Sequence, residues 1–90
     1  MRLDRFLKLA RIVKRRTLAQ EMVEIGAVRV NGAVAKASKE VREGDIIEVA
    51  FPRRVLTLKI LPYTEKDLKR GGKACEILEE RAVSGENRPW

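Results

Sequence analysis

The side chains best suited to bind a ligand are the cations at the N-terminal end of the sequence. The first 20 residues contain seven lysines and arginines and a single acid, Asp4. These cations are Arg2, Arg5, Lys8, Arg11, Lys14, Arg15 and Arg16. Over all 90 residues, 20 lysines and arginines face 13 acids, for a net charge of +7. This concentration of positive charge predicts a polyanionic partner.

Three consecutive cations, Lys14, Arg15 and Arg16, stand where a second helix should begin. A helix N-terminus is partly positive, so each exposed cation there costs about 0.3–1 kcal/mol. A phosphate would turn this cost into an attraction, because both the helix end and a guanidinium bind it. The simpler alternative is a solvated, solubilising surface. Lys36 and Lys39 could extend the binding surface, or they could be ordinary loop lysines.

Other kinds of chemistry have few candidate residues. Histidine is absent and Cys75 is the one cysteine, which excludes Cys/His metal sites and an intrachain disulfide. Cys75 is better interpreted as a small core residue than as a nucleophile. The sequence has no long apolar run typical of a signal peptide or a membrane span. We therefore expect a monomeric, cytoplasmic, non-enzymatic protein that needs no cofactor and no membrane.

The aromatic residues are too few and too apolar in setting to form a stacking surface for bases. Phe6 and Phe51 fall on predicted apolar faces, which leaves Tyr63 and Trp90. Single-strand binders interleave aromatics with cations so that bases can stack. Recognition of the phosphate geometry of structured RNA therefore fits this sequence better.

Two amphipathic helices must position the cations. Apolar residues recur at helical spacing from Leu3 to Ala10, and a second helix is predicted from about Arg15 or Thr17 to Ile25. Thr17 and Gln20 offer a partial capping box for this second helix. Gly26 should end it, because glycine adopts the left-handed conformation at little cost.

After Gly26 the apolar period changes from 3.6 to 2, which predicts strands. The predicted strands cover residues 27–30, 33–35, 46–51 and 55–61. Asn31-Gly32 predicts a tight hairpin turn, and Thr64 a capped helical turn through Asp67. A short final helix is predicted from Lys73 to Ala82, and a frayed tail over 84–90. The fold class is α+β, with two N-terminal helices packed on a small, twisted, mainly antiparallel sheet and a short C-terminal helix.

The order of these motifs resembles the S4-like RNA-binding domain with its alpha-L motif. The resemblance covers about residues 1–51 and is carried by residues 1–7, 15–19, 26–32, 36–38, 41 and 44–49. It divides the chain into an S4-like domain, 1–61, and a C-terminal extension, 62–90. Residues 2–4, 14–19, 31–32 and 35–38 are most similar to the RqcP family of stand-alone bacterial proteins.

The resemblance implies a factor in ribosome-associated quality control. Such a protein binds an obstructed large ribosomal subunit and contacts ribosomal RNA and the P-site peptidyl-tRNA. It supports its partner RqcH while alanine is added to the stalled chain. By analogy Arg2 and Arg16 are the first RNA contacts, followed by Arg5, Arg15 and Lys36. Arg15 departs from the small hydroxyl residue that many S4-like domains have there.

Three alternatives stay open on the sequence. The first is a ribosome rescue or assembly factor of the heat-shock type. The second is an RNA-modifying enzyme, because S4-like domains often precede synthase or methyltransferase domains. The third is a protein-interaction module that uses the acidic C-terminal region. Arg16 is one of the two residues expected first to contact RNA. We expect Arg16→Ala to weaken ribosome binding with little change in melting temperature.

Overall fold

The apolar spacing at the N-terminal end forms two helices, α1 (Leu3–Leu9) and α2 (Arg16–Glu24), as predicted. They are part of a computed structural model that describes residues 1–82. Each helix buries one face: Phe6 of α1 and Ala19 of α2 are fully buried. Gly26 follows α2 with a φ of 79°, which confirms it as the residue that ends the helix.

The strands form one antiparallel sheet with the order β2-β1-β3-β4-β5. Their bounds are β1 (Val28–Val30), β2 (Ala33–Val34), β3 (Ile46–Phe51), β4 (Arg54–Ile60) and β5 (Cys75–Ala82). At the β1–β2 turn, Asn31 and Gly32 have φ angles of 51° and 84°. Positive φ at both central residues is the geometry of a type I′ hairpin, so the predicted turn is confirmed.

The core lies between the two helices and one face of the sheet. Among its fully buried members are Leu3 and Phe6 from α1, and Ile47 and Leu58 from the central strands. Tyr63 extends this core, because its ring lies 5.8 Å from that of Phe6, centroid to centroid. The helices are therefore fixed to the sheet, and their outer faces can hold charged side chains in constant positions.

The prediction of a helix from Lys73 to Ala82 was wrong, because β5 pairs with β4 over most of this segment. In the pairing, Thr57 faces Glu79 and Leu58 faces Ile77, so Leu78 is an extra residue in β5. This bulge breaks the period of 2 by which the sequence would have indicated a strand. The predicted frayed tail over 84–90 lies outside the described residues.

A third helix, α3 (Glu65–Lys69), connects β4 to β5. It begins where the sequence predicted a helical turn, and the Thr64 hydroxyl accepts a hydrogen bond from the Asp67 N–H at 3.1 Å. Leu68 is its buried residue. This single apolar contact docks α3 on the core and fixes the positions of its charged neighbours.

Candidate nucleic-acid interface

The candidate site is organised by Asp4, a fully buried carboxylate on α1. Its Oδ1 accepts a hydrogen bond from the Arg5 backbone N–H at 2.8 Å. Its Oδ2 accepts from Gln20 Nε2 at 2.8 Å and from Arg16 Nε at 3.1 Å. Arg2 Nε lies 3.3 Å from Oδ1 and completes the cluster. Asp4 thus orients the neighbouring arginines.

The groups around Asp4 stabilise the ionised form of its carboxyl group. Burial alone would raise the pKa of its carboxyl group, but hydrogen bonds from Gln20, Arg16 and the next backbone N–H outweigh burial and lower the pKa. Asp4 is therefore ionised at neutral pH and attracts both guanidinium groups. No buried side-chain nitrogen or oxygen lacks a hydrogen-bond partner among the described residues.

Arg2 and Arg16 keep much of their hydrogen-bonding capacity for a ligand. Their side chains are 46% and 44% exposed, although both contact Asp4. Arg16 gives its Nε–H to Asp4, which leaves its two terminal nitrogens to donate outward. Such a planar pair of donors matches the oxygens of a phosphate. The arrangement presents two oriented guanidinium groups at one end of the helix pair.

The N-terminus of α2 also favours an anion. Its N-cap is Arg15, which provides no side-chain hydrogen bond, and its first turn contains no acid. The predicted capping box of Thr17 and Gln20 was wrong, because Gln20 bonds to Asp4 instead. The first backbone N–H groups of α2 are thus left without a side-chain cap and lie beside Arg15 and Arg16.

A loop brings two further cations to the same end of the molecule. The backbone N–H of Leu3 donates to the carbonyl of Lys39 at 2.8 Å, and that of Asp4 donates to Ala37 at 3.2 Å. The N-terminal amine contacts Glu40 at 2.8 Å and lowers the pKa of that carboxyl group. Lys36 and Lys39 therefore lie near Arg2 and Asp4. The first backbone N–H groups of α1 donate to carbonyls of this loop. At this end of α1, therefore, only side chains are available to bind a ligand.

Lys36 also borders a groove beside α2. The groove has a volume of about 480 Å³, and its walls include Gln20, Glu24 and Ala35. Gln20 donates to Asp4 and also lines this groove, so the Asp4 cluster adjoins the side of α2 that faces Lys36. We define the Asp4 surface as Arg2, Arg15, Arg16, Lys36 and Lys39.

The other four predicted cations have neighbours outside the Asp4 cluster. Arg5 turns to α3, where its guanidinium contacts Glu65 at 2.8 Å. Lys8, Arg11 and Lys14 line a different cleft together with Lys69 of α3. Helix α3 therefore contributes to the surroundings of all four of these cations.

Sequence reasoning missed Gln20, Glu65 and Lys69. Gln20 could have been found, because it stands four residues after Arg16 and therefore on the same face of α2. Nothing local in the sequence indicates that Glu65 and Lys69 approach α1, since their positions follow from the packing of α3.

The described residues offer little support for other chemistry. Burial raises the pKa of the Cys75 thiol, which disfavours a reactive thiolate, and Cys75 packs against the core. Residues 1–82 contain no group of three potential metal ligands. Within the same range, no helix has the length and apolar character needed to cross a bilayer.

Comparison with known families matches residues 1–47 to the S4 domain. This match includes both helices, the hairpin and the loop that carries Lys36 and Lys39. Together with the fold and its basic surface, it defines the class as a small S4-type RNA-binding protein.

Comparison with individual proteins shows which members of this class the chain is similar to. The RQC P-site tRNA stabilizing factor of Halalkalibacterium halodurans is 42% identical over 85 residues, which cover 93% of this chain and 97% of that protein. The factor of the same name from Streptococcus pneumoniae is 38% identical over 84 residues, 92% of this chain and 96% of that protein. The trimeric structure of Vibrio cholerae Heat Shock Protein 15 superposes with a TM-score of 0.73 at 32% identity, over 86% of this chain and 80% of that one. The chain belongs to the S4-domain family that includes the RQC P-site tRNA stabilizing factors.

Proposed function

We propose that this protein acts in ribosome-associated quality control by binding RNA on an obstructed large ribosomal subunit. It would contact ribosomal RNA and the P-site peptidyl-tRNA, and it would support RqcH-dependent addition of alanine to the stalled chain. One observation carries the proposal: Asp4 orients Arg2 and Arg16 beside an uncapped helix end, in a chain 42% identical to a stabilizing factor over 93% of its length.

The physical role of such a protein is to hold RNA. Arg16 and Arg2 are held by a buried carboxylate, so less side-chain entropy is lost when they bind a phosphate. A protein that binds one arrangement of tRNA and subunit stabilises that arrangement, and tighter binding gives greater stabilisation. No proton transfer by the protein is needed, because peptide-bond chemistry belongs to the ribosome and the tRNA. The proposed role places the protein with ribosomes in the cytoplasm.

The proposed RNA contacts begin as in the sequence analysis, but Arg5 moves down the order. Arg2 and Arg16 come first, because their guanidinium groups are oriented and exposed. Arg15, Lys36 and Lys39 supply further charge to the same surface. Arg5 becomes a weaker candidate, because Glu65 neutralises part of its charge. The remaining proposed contacts are Lys8, Arg11 and Lys14.

The proposal is tested by co-sedimentation of the protein with purified large subunits, with and without peptidyl-tRNA. Wild type should bind the obstructed subunit preferentially, and Arg16→Ala should lose most of that binding. Arg53→Ala, which removes an exposed cation from the β3–β4 turn, is the matched control and should bind normally. Equal binding of wild type to every RNA sample would leave a general RNA-binding protein and refute the specific role.

The likeness to Heat Shock Protein 15 supports a second candidate, a rescue or assembly factor for large subunits. Complementation separates the two functions. In a strain that lacks its own stabilizing factor, this chain should restore alanine tails on stalled proteins. Restored growth after heat shock without restored alanine tails would favour the second candidate.

A further inference from the structure

Each of the three helices in the described part of the chain is followed by a residue with left-handed backbone. This residue is glycine after α2 and α3 but arginine after α1. Arg11, Gly26 and Gly71 each follow a helix by two positions and have φ angles of 61°, 79° and 86°. Left-handed backbone favours glycine, because other residues bring Cβ close to a carbonyl oxygen. The backbone therefore does not require an arginine at position 11, which points to a role for its side chain.

Arg11 lines a cleft that gathers four cations from two parts of the chain. Lys8, Arg11 and Lys14 come from α1 and the turn that follows it, and Lys69 comes from α3. The cleft has a volume of about 250 Å³, and the apolar part of its wall includes the buried residues Val13 and Leu68. Its position is thus set by the core, although its rim is charged.

None of these four cations forms an ion pair within residues 1–82. This contrasts with Arg2, Arg5 and Arg16, each of which contacts a carboxylate. Four positive charges around one cleft repel each other, and a bound anion would relieve that repulsion. The charges that the fold leaves uncompensated therefore mark a place for a negative ligand.

Gly71 leaves room for the guanidinium of Arg11 beside the end of α3. A Cβ atom built on Gly71 would lie 2.8 Å from an Arg11 terminal nitrogen, so any other residue would press on the guanidinium. The C-terminal end of α3 thus accommodates Arg11, as well as contributing Lys69. The cleft is formed jointly by the S4-matched segment, residues 1–47, and a helix beyond it.

We propose that this cleft is a second binding site for RNA phosphate, separate from the Asp4 surface. Lys8, Arg11, Lys14 and Lys69 take one or two backbone phosphates, and Arg11 is the central contact. The choice of RNA as the ligand rests on the proposed function. Two separate phosphate sites let a protein of this size fix the orientation of its RNA, since a single patch leaves rotation about the contact free.

The test uses the salt dependence of RNA binding by the full chain, measured by fluorescence anisotropy. The probes are purified tRNA and large subunits that carry peptidyl-tRNA. Removing one cation that binds a phosphate should reduce the slope of log affinity against log salt by about 0.7–0.9. We expect a reduction of that size for Lys69→Ala and for Arg11→Gly. Glycine suits the φ of 61° at position 11, so this variant removes the side chain and keeps the backbone conformation.

Lys66→Ala is the matched control, because Lys66 is an exposed cation of α3 that does not line the cleft. The second site is refuted if Lys69→Ala and Arg11→Gly keep the wild-type slope on both probes. It is equally refuted if Lys66→Ala reduces the slope as much as they do. Failure of the proposed function is a different result: wild type would show no preference for obstructed subunits, whatever the slopes of the variants.

Discussion

At the scale of single residues, Asp4 shows how a buried acid can serve a basic surface. Its carboxylate is fully buried, yet two of its partners, Arg2 and Arg16, are about half exposed. The sequence showed Asp4 as the single acid among the first 20 residues. It could not indicate the burial of Asp4 or its bond to Gln20, since both depend on the angle at which α1 and α2 pack.

We predict that Asp4→Asn destabilises the fold by about 2–4 kcal/mol. The amide keeps the shape of the side chain but loses the charge that two guanidinium groups require. The free energy of unfolding by urea measures the loss. Glu43→Gln, which changes an exposed acid in a loop, should leave the free energy within about 0.5 kcal/mol of wild type.

The same variant should alter the dependence of stability on pH. The pKa of Asp4 in the folded state lies below its unfolded value of about 3.9, so its ionised form contributes stability above that pH. This contribution is lost as the pH falls through the folded pKa. Wild type should therefore lose stability below about pH 4 more steeply than Asp4→Asn does. Parallel curves for the two proteins would contradict the role of the Asp4 charge.

For Arg16→Ala, the structure changes the expectation from the sequence. Its place on a polar face suggested little effect on melting temperature, but its Nε–H bonds to buried Asp4. We now expect a loss of about 1 kcal/mol, or roughly 4–8 °C in melting temperature for a domain of this size. Arg53→Ala is the control for thermal unfolding as well and should melt with wild type. An unchanged transition in Arg16→Ala would show that the bond contributes no net stability.

At the scale of elements, the sequence predicted those with strong local signals. The two helices have clear apolar stripes, and Asn31-Gly32 has residues suited to its turn. The error over Lys73 to Ala82 arose because Ala74, Ile77 and Leu78 stand at helical spacing. The bulge at Leu78 removes the alternation of a strand, and pairing with β4 decides the structure. Contacts between distant parts of the chain outweigh local propensity there.

The hairpin gives a prediction about backbone strain. Gly32→Val should destabilise the fold by about 1–2 kcal/mol, because a β-branched residue resists a φ of 84°. Apart from the neighbouring residues in the chain, no atom lies within 4 Å of a Cβ built on Gly32, so the expected strain is local to the turn. Thermal unfolding followed by circular dichroism measures the loss. Ala33→Val, at the exposed neighbouring position, should unfold close to wild type.

Hydrogen exchange distinguishes strand from helix in residues 75–82. In the described sheet β5 pairs on one side with β4, so its N–H groups should be protected at alternate positions, with an irregularity at Leu78. The strand β4 is the internal control, because it is paired on both sides and should be protected throughout. Continuous protection across 76–82, measured by nuclear magnetic resonance, would instead support the helix that the sequence suggested.

At the scale of the whole molecule, the sequence showed how many cations the N-terminal end contains. It did not show which other parts of the chain each cation approaches. Seven cations in 20 residues predicted a basic surface. The loop over 36–40 bonds to the start of α1, and helix α3 contacts Arg5 and lines a cleft with three other cations, through contacts 30 or more residues apart in the chain. No periodicity or spacing records such contacts. The sequence therefore predicted the kind of ligand better than the shape of the site.

These contacts lead to a prediction about coupling between positions. Arg2 and Arg16 share Asp4, so removing either changes what the carboxylate offers the other. Their effects on the free energy of binding to large subunits should differ from additivity by about 0.5–3 kcal/mol. Arg16 and Lys69 share no ion-pair partner among the described residues, and their effects should add within about 0.5 kcal/mol if the two proposed sites are independent.

The measurement is a pair of double-mutant cycles to alanine at one fixed salt concentration. Strong coupling for Arg2 with Arg16, and additivity for Arg16 with Lys69, is the pattern of two independent contacts on one RNA-binding protein. Equal coupling in both cycles would mean that the RNA responds to the summed positive charge of the protein and not to two separate contacts. In that case the net charge would determine binding, and the geometry around Asp4 would add little.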